Sequence, residues 1–216
     1  MEKEHIVKVY YSKINQILPM KRYRDYLNML PLKMIEKNKR YVRWQDKHAH
    51  LYGKLLLLEG LKSYNLQHDI LRKVKYNSYN RPYLPGKIDF NISHSGKYVV
   101  CALGVNVRLG IDIEEIKPID FNDLKSVMTN DQWLKILDNN KPFECFFNYW
   151  TMKESVIKAD SRGLSLPIQG LDKIDNTVIV EDKIWHLSPL KIDSNYSTYL
   201  AVNTPMISIE FNNLKF

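Results

Sequence analysis

The chain has 216 residues, 44% of them hydrophobic and 26% charged, which is the composition of an ordinary globular protein and excludes a fibrous or low-complexity chain. Its 32 Lys+Arg against 24 Asp+Glu leave a net charge of +8, so the expected partner is anionic: nucleic acid, a membrane surface or an acidic protein. The densest apolar run, residues 55–58, is far short of a membrane span, and zinc-ligand spacing, a long basic tail and an aromatic-basic repeat are all missing, which argues against nucleic acid.

In chain order, alternation predicts a strand over 6–11 and then a long helix over 33–61, along which Tyr41, Trp44, His48, Leu51, Leu55 and Leu58 form a buried stripe at three-and-four spacing. His48 lies on that stripe and reads as a satisfied core histidine. Another face carries Arg43, Lys47, His50 and Lys54, a basic ridge that is either solvated or placed to neutralise an anion. A hairpin over 90–105 follows, with Phe90-Asn91-Ile92 as one strand, Ser93-His94-Ser95-Gly96 as the turn carrying His94 at its tip, and 98–103 as the return strand. The second half offers a strand over 109–116, an irregular amphipathic stretch over 121–133 that reads as core packing, a helix over 142–160, and strands over 177–180, 184–187, 198–202 and 207–211. Each half places a long helix after an opening strand. The expected fold class is α+β, in two halves, 1–105 and 106–216.

Chemistry concentrates at two segments. Asp112 and Glu114 stand two apart in the β-branched run that follows Gly110, so a strand projects both carboxylates from one face, roughly 6–7 Å apart, with Ile111 and Ile113 facing the core. Trp150, Glu154 and Lys158 recur at four-residue steps on one side of the later helix. Read alone, these are a solvated strand face and a surface ion pair. Read together, three acidic oxygens and a lysine suit an octahedral Mg²⁺ that holds a polyphosphate, and an all-oxygen site accepts Mn²⁺ as well.

Four blocks in order carry a resemblance: Asn80-Arg81-Pro82 leading to Phe90-Asn91-Ile92-Ser93-His94-Ser95-Gly96; Gly110-Ile111-Asp112-Ile113-Glu114; Trp150 to Lys158; and Gly163-Leu164-Ser165-Leu166-Pro167. With them the sequence resembles the surfactin-type (Sfp-type) 4′-phosphopantetheinyl transferases over roughly residues 79–167. The resemblance implies transfer of the phosphopantetheine arm of coenzyme A to a serine of an acidic acyl or peptidyl carrier protein, with release of adenosine 3′,5′-bisphosphate. It implies two similar α+β halves related by a pseudo-twofold axis, with coenzyme A in the cleft between them. It makes Asp112, Glu114 and Glu154 the Mg²⁺ ligands, Glu154 the group that takes the serine proton directly or through a metal-bound water, and Lys158, with Lys153, a source of positive charge. It assigns Arg81, Ser93 and His94 to coenzyme A, the phosphates above all, Tyr79 to the adenine, and Lys37, Arg43 and His50 to the region of the 3′-phosphate. In relatives the stretch over 121–133 helps to dock the carrier.

Three departures from that pattern stand out. Gln132 occupies a position where many relatives have an acid, Ala49 replaces an arginine of the long helix, and Ser161 replaces a glycine. Two readings from other classes are a non-catalytic coenzyme A or carrier-binding protein on the same fold and a Mg²⁺-dependent nucleotide phosphohydrolase. Cys101 and Cys145 are the only two cysteines and read as core residues of a reducing compartment. With no signal-peptide h-region at the N-terminus, a cytoplasmic protein is expected, acting as a monomer without nucleic acid or membrane.

Overall fold

The computed structural model describes residues 4–216. Residues 1–3, on which the reading of the N-terminus partly rests, and the Leu164 side chain of the last sequence block lie outside the described residues. Strand β1 (His5–Lys13) buries Val7 and Val9, and three helices follow: α1 (Met20–Asn28), α2 (Leu32–Arg40) and α3 (Trp44–Lys62). Two short strands, β2 (Lys75–Tyr76) and β3 (Pro82–Tyr83), pair with each other. The hairpin consists of β4 (Ile88–Ser95) and β5 (Tyr98–Val105). Beyond it come β6 (Leu109–Glu115), α4 (Asn130–Leu137), α5 (Pro142–Asp160), β7 (Thr177–Val180), β8 (Lys183–Pro189), β9 (Tyr196–Val202) and β10 (Ile207–Asn213).

The strands form two four-stranded sheets, ordered β10-β1-β5-β4 and β6-β9-β8-β7. Each sheet is packed by a 19-residue helix, α3 on the first and α5 on the second, so the α+β expectation is met. Although the 105/106 division falls between β5 and β6, β10 returns to pair in parallel with β1 and places a strand from the chain's end in the first sheet. Among the described residues no helix is long and apolar enough to cross a membrane.

Two details of the first half differ from the sequence reading. The long helix is two helices, because Tyr41 and Arg43 adopt extended backbone and Val42 between them is 92% exposed. The break is set by Asn38 at the end of α2, which is buried and donates its amide N–H to the carbonyl of Lys47 at 2.8 Å while accepting from the Tyr23 hydroxyl. His94 is not a hairpin tip. The β4–β5 register pairs His94 with Val99 and Ser95 with Tyr98, leaving only Gly96 and Lys97 as the loop, and Gly96 takes the positive φ of +52° that such a turn needs. His48 is the core residue its spacing suggests: Nε2 accepts the Leu18 N–H at 3.0 Å and Nδ1 meets the Trp44 carbonyl at 2.8 Å. The stretch over 121–133 packs as a 3₁₀ turn and the start of α4, with Met128 buried and Phe121 and Trp133 against Phe146.

The sheets meet edge to edge. β4 closes one sheet and β6 the other, and three outward N–H groups of β6 are taken up by side chains of β4. Asp89 accepts from Leu109 at 2.9 Å, Asn91 from Ile111 at 3.0 Å, and Ser95 from Glu115 at 3.1 Å. On its other side β6 lies so close to α5 that a Cβ at Gly110 would run into the backbone of Ser155 and Ala159. Gly110→Ala is therefore expected to cost about 3 kcal/mol or more through overpacking, a fall in Tm of roughly 6–12 °C for a chain of this size. Thermal unfolding followed by circular dichroism measures it, and an unchanged Tm would contradict the close approach.

Candidate active site

Three elements converge on one cleft of about 310 Å³: β4 supplies Ser93 and His94, β6 supplies Asp112 and Glu114, and α5 supplies Trp150, Glu154 and Lys158. The strand period puts Asp112 and Glu114 on the same face, and the helix period does the same for Trp150, Glu154 and Lys158. Asp112 is 2% exposed. Its Oδ1 accepts from the Lys158 ammonium at 2.5 Å and from the Ser93 hydroxyl at 2.8 Å, while Lys158 also donates to Ser93 at 2.9 Å. Its Oδ2 is buried without a hydrogen-bond partner. The Ser95 hydroxyl donates to Glu114 Oε2 at 2.6 Å.

Both glutamates hold their protons more tightly than free carboxyls. Burial raises the pKa of Glu114, with the negative charges of Asp112 and Glu154 adding to it, while the Ser95 hydrogen bond and Lys158 pull the other way. Burial likewise raises Glu154, opposed by Lys158 and reinforced by Asp112. Among the described residues no three His, Cys, Asp or Glu side chains form a ready-made metal cluster; the acids share the cleft with Lys158 instead.

A second group of charges lies across β4. Burial holds His50 down to about 4, helped by Lys54, Lys37 and His94, and holds Lys54 down to about 8, where Lys37 assists and the Cys101 thiol opposes. His50 Nε2 is buried and unpartnered. Desolvation lowers the pKa of His94 as well, as does Lys158, against Asp46 and Asp112. Two lysines and two imidazoles thus face one another with an open nitrogen among them.

This arrangement has relatives. The 4′-phosphopantetheinyl transferase superfamily matches residues 108–201, and the family described as 4′-phosphopantetheinyl transferase, N-terminal, matches residues 19–105. The chain is 31% identical to the 4′-phosphopantetheinyl transferase Sfp of Bacillus subtilis (strain 168) over 167 residues, covering 75% of this chain and 74% of that one. It belongs to the 4′-phosphopantetheinyl transferase family. Similarity extends to the 4′-phosphopantetheinyl transferase gsp of Aneurinibacillus migulanus, at 36% identity over 148 residues, 65% of this chain and 61% of that one. The L-aminoadipate-semialdehyde dehydrogenase-phosphopantetheinyl transferase of Mus musculus is 28% identical over 200 residues, 77% of this chain and 64% of that one. The protein is accordingly an enzyme that transfers the phosphopantetheine group to carrier proteins.

Within this transferase the residues singled out from sequence fall into four sets. Asp112, Glu114, Glu154, Lys158, Ser93 and His94 meet in the cleft, and Lys37 and His50 lie outside its lining, near enough for the lysine to act on the imidazole. Arg43 is exposed at the start of α3, and Tyr79 is an exposed turn residue; neither lines the cleft. Lys153 and Arg81 bond to other groups of the protein. Lys153 is fully buried on another face of α5, donating to Gln132 Oε1 at 2.7 Å and to the carbonyls of Val127 and Gln169. Burial lowers its pKa to about 8, and Gln132, bonded to it, completes the capping box of α4 with Thr129. Arg81 is 7% exposed, with its guanidinium spent on protein acceptors. Trp150 lines the cleft and Ser95 reaches it through Glu114 without having been assigned a role, while Lys54 of the basic ridge lies near His50. For Ser95 the signal was present in the alternation of Asp89, Asn91, Ser93 and Ser95 against Phe90, Ile92 and His94.

The raised carboxyl pKa values have a consequence for stability. A carboxyl that binds its proton more tightly when folded lowers stability at pH above its folded pKa, and that cost vanishes as pH falls below the ordinary value near 4. At pH 7.5 in the absence of divalent cations, Glu154→Gln is therefore expected to have a higher Tm than the parent, with the gain shrinking towards pH 4. A variant less stable at pH 7.5 would mean that Lys158 already compensates the burial.

Proposed function

We propose that the donor of the phosphopantetheine group is coenzyme A, that Asp112, Glu114 and Glu154 hold Mg²⁺ during transfer, and that the acceptor is a serine of an acidic acyl or peptidyl carrier protein. The observation that carries the metal reading is the unpartnered, buried Oδ2 of Asp112 in a cleft shared with Glu114 and Glu154. A donor set made only of carboxylate oxygens suits a hard cation that keeps part of its shell for water and phosphate. When bound, Mg²⁺ supplies charge neutralisation for the diphosphate of the donor, and Mn²⁺ fits the same donors.

The residues of the chain then have distinct tasks. Glu154 takes the proton of the incoming serine hydroxyl, directly or through a water, a task that its raised pKa suits better than an ordinary carboxylate would. The serine oxygen bonds to the phosphorus of the phosphopantetheine group as the bond to the second phosphate breaks, and adenosine 3′,5′-bisphosphate leaves with the electron pair. Lys158, donated to Asp112 and Ser93 in the free protein, offers positive charge where negative charge develops on the leaving bisphosphate. Lys37, His50, Lys54 and His94 form the cradle for the 3′-phosphate. A phosphate there would satisfy His50 Nε2 and offset the burial, and the lesser repulsion from neighbouring positive groups, that lower His50 and Lys54. The net charge of +8 favours encounter with an acidic carrier, and the protein is taken to work as a monomer in the cytoplasm, where its two free thiols stay reduced.

The direct test incubates the protein with Mg²⁺, coenzyme A and a panel of apo-carriers, and reads the phosphopantetheine adduct on the carrier serine by mass spectrometry. The adduct is expected to need the divalent cation and to vanish with Glu154→Gln while coenzyme A still binds; undiminished turnover in that variant refutes the assignment of Glu154. For the cradle, Lys54→Met is expected to raise KM for coenzyme A about tenfold, in line with the loss of one charge-assisted hydrogen bond, yet to leave KM for dephospho-coenzyme A nearly unchanged. Equal losses for both donors would place the 3′-phosphate elsewhere.

A further inference from the structure

Resting on the active site proposed above, we infer that Arg81 acts as a positioning residue for the catalytic helix and not as a phosphate ligand. Its backbone is fixed first. Asn77 Oδ1 accepts the N–H groups of Tyr79 and Arg81 at 2.9 and 2.8 Å, the Asn77 N–H donates to the Arg81 carbonyl at 3.1 Å, and Asn80 takes a positive φ of +61° to complete the turn before Pro82. From that turn the guanidinium enters the protein and reaches all three elements of the site. Two parallel bonds of 2.9 Å go to the carboxylate of Asp89 on β4, one of 2.8 Å to the Leu109 carbonyl on β6, and one of 2.9 Å from Nε to the Lys158 carbonyl on α5.

The rest of the contact set fits the same role. Asp89 also accepts the Leu109 N–H at 2.9 Å, so one ion pair satisfies both backbone groups of the residue that opens the metal-bearing strand. Arg108 beside it donates to the Ala159 carbonyl at 3.0 Å. Two arginines thus take up consecutive carbonyls in the last turn of α5, where a helix leaves its acceptors unpaired and where positive charge is favoured. The residue whose carbonyl Arg81 holds is the one whose ammonium meets Asp112, and Glu154 lies one turn before it. Displacement of this helix end would move both side chains relative to Asp112 and Glu114. An arginine so engaged has little left to donate to a ligand.

Lysine separates the two roles. A point charge suffices for a phosphate, whereas only the planar fork spans Asp89, Leu109 and Lys158 at once. Arg81→Lys is expected to lower kcat tenfold or more while Kd for adenosine 3′,5′-bisphosphate, measured by calorimetry, stays within threefold of the parent. Asp89→Asn, which keeps an acceptor for Leu109 and has no path to the ligand, is expected to give the same split, and it tests the inference even if the lysine variant folds poorly. A kcat within threefold of the parent in both variants, or a Kd weakened tenfold by Arg81→Lys, overturns it. Glu154→Gln run alongside keeps the two readings apart, because full activity there would sink the proposed site whatever the arginine does.

Discussion

The backbone of β6 can lie against the backbone of α5 only because residue 110 has no side chain, and the geometry of the active site follows from that contact. A strand sends alternate residues to one face and a helix sends every fourth to one side. Two such elements pressed together therefore place Asp112 and Glu114 opposite Glu154 and Lys158 without any loop to adjust. Were β6 and α5 separated by an ordinary side-chain layer, the same residues would face one another across a gap filled with apolar atoms. Rigid elements brought to close range hold catalytic groups more accurately than loops do.

The second constraint is the seam between the two sheets. An unpaired strand edge presents backbone donors that must be satisfied or exposed to water. Here two edges satisfy each other without merging into one sheet, because the groups that bridge them are the side chains of Asp89, Asn91 and Ser95 and not backbone. The arrangement leaves β4 with a row of polar side chains on the face it turns towards β6. Ser93, whose hydroxyl is not used on backbone, is free to bond Asp112, and Ser95 serves the strand and Glu114 at once. The seam that joins the halves is thus also one wall of the active site.

Much of this was readable from the sequence, and the failures share a cause. Strand β6, helix α5 and their four polar residues in the cleft follow from local periodicity, which backbone geometry imposes regardless of surroundings. His48 was readable as a core residue because its spacing put it on the apolar stripe. What periodicity could not supply was the partner of a long polar side chain. The break between α2 and α3 has neither glycine nor proline to mark it and is held by the reach of Asn38 to Lys47. Arg81 and Lys153 are basic residues in the blocks that resemble the family, and both point into protein acceptors. For Lys153 even the helical phase gave a warning, since it lies off the face shared by Trp150, Glu154 and Lys158.

The electrostatics of the cleft complete the account. Three carboxylates and one ammonium share a largely desolvated space, an arrangement that lowers stability at neutral pH and that folding alone would not favour. Lys158 relieves one oxygen of Asp112 and leaves the other bare. Across β4 the imbalance has the opposite sign, with Lys37, Lys54, His50 and His94 crowding one another. The two groups meet at His94, which lines the cleft and feels Lys158 and Asp112 on one side and His50 on the other. Under the proposed function, a donor with a 3′-phosphate at one end and a cation-bound diphosphate at the other would relieve both costs together, and a smaller anion or a metal ion alone would relieve only one.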